Sequence, residues 1–185
     1  GFPIGEGAAV RATDPETRRV LAPGEKGELE MKGPSQMSGY LGDEAATRRA
    51  LTDDGYVRAG DFGFVRSDGS FVLENRMGDV LRLSGFLTSP SEIEKVLNTH
   101  PLVVASQVVG VETARGTRAA AFVIVKAGGR FDERDITNYC AQQMAPYKTP
   151  VRVFAIDEFP MTAGANAPKV LKGKLRDIAQ SRLDD

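Results

Sequence analysis

The chain has 185 residues, 41% of them hydrophobic, with 24 Lys and Arg against 25 Asp and Glu, a formal net charge of −1 and an isoelectric point near 6.0. That length can bury one good core or two small ones, and a scattered, balanced charge gives no reason to expect nucleic acid or an anionic membrane as the main partner. One cysteine, Cys140, cannot form an internal disulfide; no Cys/His spacing suggests zinc or another metal, no apolar run approaches a membrane span, and a reducing cytoplasm is the expected compartment.

The chain opens on GFPIGEG, without Met or a signal-peptide pattern, and reads like the middle of a longer protein. Short β-like runs follow at 8–12 (AAVRA), 27–32 (GELEMK) and 70–75 (SFVLEN), broken by Gly, Pro and Asp. TDPETRR reads as a turn, DEAATRRAL at 43–51 as one short helix, and Asp53, Asp54 and Gly55 as the next break. Small β-structure is therefore expected over residues 1–77.

After Met77 the pattern changes to helices alternating with apolar strands, which sets a second domain at 78–185. VLRLS at 80–84 is a strand candidate. Ser89, Pro90 and Glu92 have capping-box spacing, and the helix they open places Ile93, Val96 and Leu97 on one face. Two long apolar runs, from Leu102 and from Arg118, are joined by ETARGT and read as adjacent buried strands. A second amphipathic helix begins near Asp132, carries Ile136, Tyr139, Cys140 and Met144 at helical spacing, and stops before Pro146. VRVFAI at 151–156 is a further strand, and a last helix bears Leu175, Ile178, Ala179 and Leu183 on one stripe. The expected class is α+β: a small β-rich part, then a compact domain whose short sheet is covered by helices.

Four places can carry chemistry. Asp61, in AGDFG, reads as a small-residue corner between β-like runs; its two acceptor oxygens suit the hydroxyl pair of a ribose, or it is a turn aspartate bonded to its own backbone. Arg76 offers a planar fork of donors for ribose or phosphate oxygens, or else pairs with Glu74 or Asp79 at the surface. Gly78, without Cβ, can absorb a large backbone change, though many glycines merely end strands. The segment FPMTAGANAPKVLKGKLR concentrates basic residues after a flexible-looking loop, and a lysine there can neutralise a phosphorus centre under attack or simply face solvent. It is not a P-loop, because Leu175 follows Gly173-Lys174 and Pro168 occupies the required upstream position. His100, the lone histidine, precedes Pro101 and reads as a capping or packing residue.

In order, GELEMKGPSQMSGYL, GYVRAGDFG, NRMGDVLRLSGF, SPSEIEKVLNTHP, MAPYKTP and FPMTAGANAPKVLKGKLR resemble the later core motifs of the adenylate-forming (AMP-binding) superfamily. The wording at 144–150 is more similar to its acyl-CoA synthetase branch than to the peptide-synthetase branch. The resemblance covers essentially the whole chain but only the C-terminal third of such an enzyme. It implies that residues 1–77 are the last part of the large N-terminal AMP-binding domain and that 78–185 are a mobile C-terminal lid.

Residue by residue, the resemblance implies that Asp61 binds the ribose hydroxyls of ATP and acyl-AMP, with Ala59 replacing the usual threonine, and that Arg76 also contacts ribose. It makes Gly78 the hinge, where many relatives carry Asp or Lys, and Gly85 the glycine that lets pantetheine approach the backbone. Counting back from Leu175-Arg176, the adenylation lysine falls on Lys169, with Lys172 as the alternative. Counting forward from Thr162 it falls on Asn166, so the loop is three residues longer than the common form. The implied reaction is carboxylate plus ATP to acyl-AMP and pyrophosphate, then transfer to CoA. Magnesium would be bound mainly by the N-terminal part outside this chain, which is the implied partner. Fatty acid metabolism is the expected setting, although the acid itself lies beyond these residues, and the fragment alone is expected to be inactive. Two competing readings are a stand-alone binding module of the same fold and an adenylation domain that passes its acyl group to a carrier protein.

Overall fold

A computed structural model describes residues 1–163 and 168–184, and the chain divides into two compact units, Gly1–Val80 and Leu81–Asp185. In the first, strands β1 (Ala9–Thr13), β2 (Gly27–Lys32), β3 (Val57–Val65) and β4 (Phe71–Arg76) form an antiparallel sheet in the order β1-β2-β3-β4. Leu29 and Phe62 are its fully buried apolar side chains, and each stabilises the unit by about 1.5–3 kcal/mol relative to exposure. The turn after β1 closes through Asp14, whose carboxylate accepts from the Glu16 and Thr17 amides. Helix α1 (Glu44–Ala50) starts on Asp43, whose side chain accepts from the Ala46 amide.

Asp61 does not occupy a corner, as its small neighbours suggested, but lies inside β3. The register on β2 passes from Arg58 opposite Glu30 to Asp61 opposite Leu29, so Ala59 and Gly60 bulge from the strand. Gly60 has φ +65°, a value that glycine adopts without strain, and the bulge re-aims the next side chain. The small residues mark a bulge, not a strand end.

In the second unit, a hairpin of β5 (Leu81–Leu83) and β6 (Phe86–Thr88) leads into α2 (Pro90–Leu97). The sheet β7 (Val103–Thr113), β8 (Gly116–Val125), β9 (Arg152–Ala155) pairs β7 with β8 antiparallel and β8 with β9 parallel. Ala119, Ala121 and Val123 of β8 pack with Ile93 and Leu97 of α2 and with Ile136 and Cys140 of α3 (Glu133–Gln143). Ala120 and Phe122 of the same strand belong to another cluster, with Phe154, Leu175 and Ala179, the last two from α4 (Lys172–Asp184). A strand buried on both faces reads as a continuous apolar run, which is how this one appears in the sequence. The class is α+β.

The α2 start is where the spacing placed it, with Ser89 at the cap and Pro90 in the first turn, but the Ser89 side chain makes no capping bond to the helix. Its hydroxyl lies 2.7 Å from that of Ser91, and the Glu92 carboxylate meets Lys148 at 2.6 Å. The Ser89 side-chain arm of the expected box is therefore not formed, and Glu92 bonds a residue 56 positions away. Among the described residues, no helix is long and apolar enough to cross a membrane.

Candidate functional site

In the first unit, Asp61 and Arg76 are directly paired positions of β3 and β4, and Arg76 Nη1 lies 2.8 Å from Asp61 Oδ1. The same nitrogen donates to the Ala59 carbonyl at 3.2 Å, which ties the guanidinium to the bulge. Asp61 is 8% exposed, whereas the Arg76 side chain is 70% exposed, so the carboxylate is seated in protein and its partner reaches into solvent. Asp61 Oδ1 has the distance of an ion pair but not the geometry of a hydrogen bond. A buried carboxylate oxygen with acceptor capacity unmet is well suited to a ligand that brings hydroxyl donors, since leaving it unsatisfied is unfavourable. Arg76 does not pair with Glu74, which instead meets Lys26 at 2.9 Å.

The approach to β3 is braced by a network that sequence reasoning missed. Arg11 Nε lies 2.7 Å from Glu30, its fork grips Asp54, and its guanidinium sits 3.9 Å from the centre of the Tyr56 ring. Glu30 is only 1% exposed, and its other oxygen is 3.7 Å from Arg58 Nε. The Arg11 guanidinium holds the Asp54 carboxyl well below the usual carboxylate range. These partners are 19 and 43 residues apart, and only the Glu in the apolar-alternating GELEMK run gave any hint.

Gly78 is the middle residue of a single 3-10 turn, Met77–Asp79, flanked by extended backbone at Arg76 and Val80. A Cβ added there would meet no atom within 4 Å. It lies two residues before the division between the two units.

In the second unit, Gly85 follows Ser84 at the tip of the β5–β6 hairpin, with φ +86° and +50° respectively and Leu83 opposite Phe86. Two left-handed central residues make a type I′ turn, whose twist matches the strands it joins. Nothing lies within 4 Å of a Cβ built on Gly85, so its backbone is open to an approaching chain. Beside it, Phe86 is 60% exposed and stacks on Tyr147 with ring centres 5.0 Å apart.

Lys169 and Thr162 exchange hydrogen bonds: Thr162 N–H donates to the Lys169 carbonyl at 2.8 Å, and Lys169 N–H donates to Thr162 Oγ1 at 3.0 Å. A bridge between Met161 and Val170 and a bond from Leu171 N–H to the Pro160 carbonyl extend this stem. The Lys169 side chain is exposed. Lys172 opens α4 and points its Nζ to within 3.6 Å of Glu94 Oε1. Asn166 lies outside the described residues.

His100 is buried, accepts from the Leu102 amide through Nδ1 at 3.3 Å, and meets the Tyr139 ring edge-on. That leaves Nε2 to carry the proton toward Asp135 at 3.3 Å, a packing and bonding role. Cys140 is a core residue, its thiol pushed up to about 11 by burial. Among the described residues, no group of three or more His, Cys, Asp and Glu side chains converges on a metal position.

Residues 92–166 match the AMP-binding enzyme C-terminal domain family. The chain is similar to peroxisomal OPC-8:0-CoA ligase 1 of Arabidopsis thaliana, 33% identical over 92% of this chain and 31% of the relative. It is 31% identical to the 4-coumarate–CoA ligase CCL1 of Humulus lupulus, over 94% of this chain and 34% of that one. Its fold is similar to the crystal structure of ATP-bound MatB from Rhodopseudomonas palustris, with a TM-score of 0.85 and 32% identity over 97% of this chain and 35% of that one. The chain thus spans about a third of the length of the curated relatives it matches.

Proposed function

This chain belongs to the adenylate-forming, AMP-binding superfamily, in its acyl-CoA synthetase branch and corresponding to the C-terminal part of such enzymes, and we propose that it serves an ATP-dependent acyl-CoA synthetase. The first unit holds the nucleotide, and the second supplies a different face to each of two half-reactions. The observation that carries the proposal is the seated Asp61 carboxylate, with unmet acceptor capacity, beside the solvent-reaching fork of Arg76.

In the first half-reaction a substrate carboxylate oxygen bonds to the α-phosphorus of ATP and pyrophosphate leaves. Asp61 accepts hydrogen bonds from the ribose hydroxyls, and Arg76 donates to the ribose or its phosphate, which fixes the α-phosphorus in position. Lys169 brings a compact positive charge to the oxygens around that phosphorus. Magnesium would supply charge neutralisation to the ATP phosphates and would be held mainly by residues outside this chain.

In the second half-reaction the thiol sulfur of CoA bonds to the acyl carbon, the bond to the phosphate oxygen breaks, and AMP departs. The C-terminal domain turns about Gly78, withdraws Lys169, and offers the open backbone at Gly85 to the pantetheine arm. The names of the relatives as CoA ligases favour CoA over a carrier protein. The carboxylic acid is selected by the N-terminal part of the protein outside this chain, and the reaction takes place in the cytoplasm.

Carboxylate-dependent exchange of pyrophosphate into ATP tests this reading. The full-length protein should catalyse it with a suitable acid, and the 185-residue chain alone should not. Exchange by the chain alone, or none by the full-length protein across fatty, aryl and dicarboxylic acids, would overturn it.

A further inference from the structure

Arg11 of β1, Glu30 of β2 and Arg58 of β3 stand directly opposite one another across the sheet, Arg11 paired with Glu30 and Glu30 with Arg58. The residue in the middle is 1% exposed, with Arg11 Nε 2.7 Å from one carboxylate oxygen and Arg58 Nε 3.7 Å from the other. The two arginine side chains are 21% and 23% exposed, so the row is shielded along its length. Taking such charges out of water offsets much of what their attraction returns, and apolar side chains would pack the row without that cost. What a charged row fixes is register, because one alignment of the strands brings each charge to its partner.

Register matters most at this point of the sheet. From Glu30 to Leu29 the partner strand moves by one residue while β3 moves from Arg58 to Asp61, so Ala59 and Gly60 are surplus. Gly60 has no Cβ to hold it in place, and the bulge takes its position from what grips it on either side. The Arg76 bond to the Ala59 carbonyl holds it from β4. Its entry is held by Arg58, whose Nη1 donates to the Arg49 carbonyl at 2.7 Å and to the Arg48 carbonyl at 3.4 Å. Those carbonyls belong to the last turn of α1, where helix acceptors lack partners within the helix. Arg58 thus joins the helix end and the buried carboxylate to the residue just before the bulge. A slip of one residue there would turn the Asp61 side chain to the opposite face.

We infer that Glu30 and Arg58 are positioning residues for Asp61: with Arg11 behind them, they lock the strand register that aims its carboxylate at the nucleotide. The inference rests on the ribose-binding role proposed for Asp61. Both residues act through Asp61 and not by contact with the ligand.

The test uses the full-length protein. In Arg58→Met the buried carboxylate keeps Arg11, so the fold is spared an unpaired charge. Glu30→Gln keeps the shape of the middle side chain and carries the same test should the first variant fail to fold. Each should weaken AMP binding in a calorimetric titration by about three- to ten-fold, the worth of one impaired hydrogen bond. In pyrophosphate exchange the KM for ATP should rise by a similar factor while the rate at saturating ATP stays within about two-fold, as for a loss of uniform binding. Added to Asp61→Asn, neither substitution should weaken AMP binding further, because no charged acceptor is left to aim.

Unchanged AMP affinity in both variants, a fall in the saturated rate with KM unchanged, or losses that multiply with that of Asp61→Asn would overturn the inference. Asp61→Asn alone separates the two levels. If it weakens AMP binding while Arg58→Met and Glu30→Gln do not, the positioning inference alone fails; if it leaves affinity unchanged, the proposed role of Asp61 fails and the inference with it.

Discussion

Arg76 reaches across the β3–β4 ladder to Asp61, 2.8 Å from guanidinium nitrogen to carboxylate oxygen, at positions the register pairs directly. The arginine is exposed and the carboxylate is seated, so the pair presents one fixed acceptor beside one adaptable donor. Replacing Asp61 by Asn keeps the shape and removes the charge. AMP binding by the full-length protein should weaken about 10- to 100-fold, the value of a hydrogen bond to a charged group, and calorimetric titration checks it. Unchanged affinity would detach Asp61 from the nucleotide.

Gly85→Ala places a Cβ on a residue at φ +86° where no neighbour lies within 4 Å. The strain is therefore that of the backbone alone, about 1–2 kcal/mol, and a chemical denaturation curve should show a loss of that order. Thioester formation should fall further than this, because the methyl also obstructs the open approach. Pyrophosphate exchange should be largely retained, and a parallel drop in both half-reactions would argue against an acyl-transfer role.

Gly78→Pro fixes φ at the centre of the Met77–Asp79 turn, close to the division between the two units. Each half-reaction measured alone should persist, while overall turnover should drop by about an order of magnitude or more if the pivot gates the cycle. Unchanged overall turnover in the steady state counts against a hinge at this residue.

Burial raises the Cys140 thiol to about 11 from an ordinary value of 9.0. The folded chain then keeps this proton to a higher pH than the unfolded chain does. Its contribution to stability is full below about pH 9 and is lost as pH rises toward 11. Cys140→Ala should flatten that part of the stability profile. A thiol reagent at pH 8 should label the native parent only as fast as it unfolds, and rapid labelling under native conditions would contradict the packing.

The strands and helices were legible because their signals are local. Apolar runs in β7 and β8, the acidic caps Asp43 and Asp132, and Pro146 after α3 each act within a few residues. The bulge at Ala59 and Gly60 was misread as a corner, because small residues with a positive-φ glycine serve both purposes and only the pairing with β2 tells them apart. Partners across the sheet were invisible for a related reason. Arg76 has acidic neighbours two and three residues away in sequence, yet strand alternation and pairing bring it to Asp61. The Glu94–Lys172 and Glu92–Lys148 pairs depend on how α2 lies against the rest of its unit, which no periodicity encodes.

The proposed enzyme needs Lys169 in one half-reaction and must remove it for the other. The direct measurement is Lys169→Ala in the full-length protein, with pyrophosphate exchange and thioester formation from supplied acyl-AMP assayed side by side. Exchange should fall by at least about a thousand-fold, as expected for loss of a preorganised charge at the reacting centre, while thioester formation stays within about two- to three-fold of the parent, since an interaction absent from that transition state cannot accelerate it. Equal loss in both reactions, or exchange that survives, would contradict this role for Lys169.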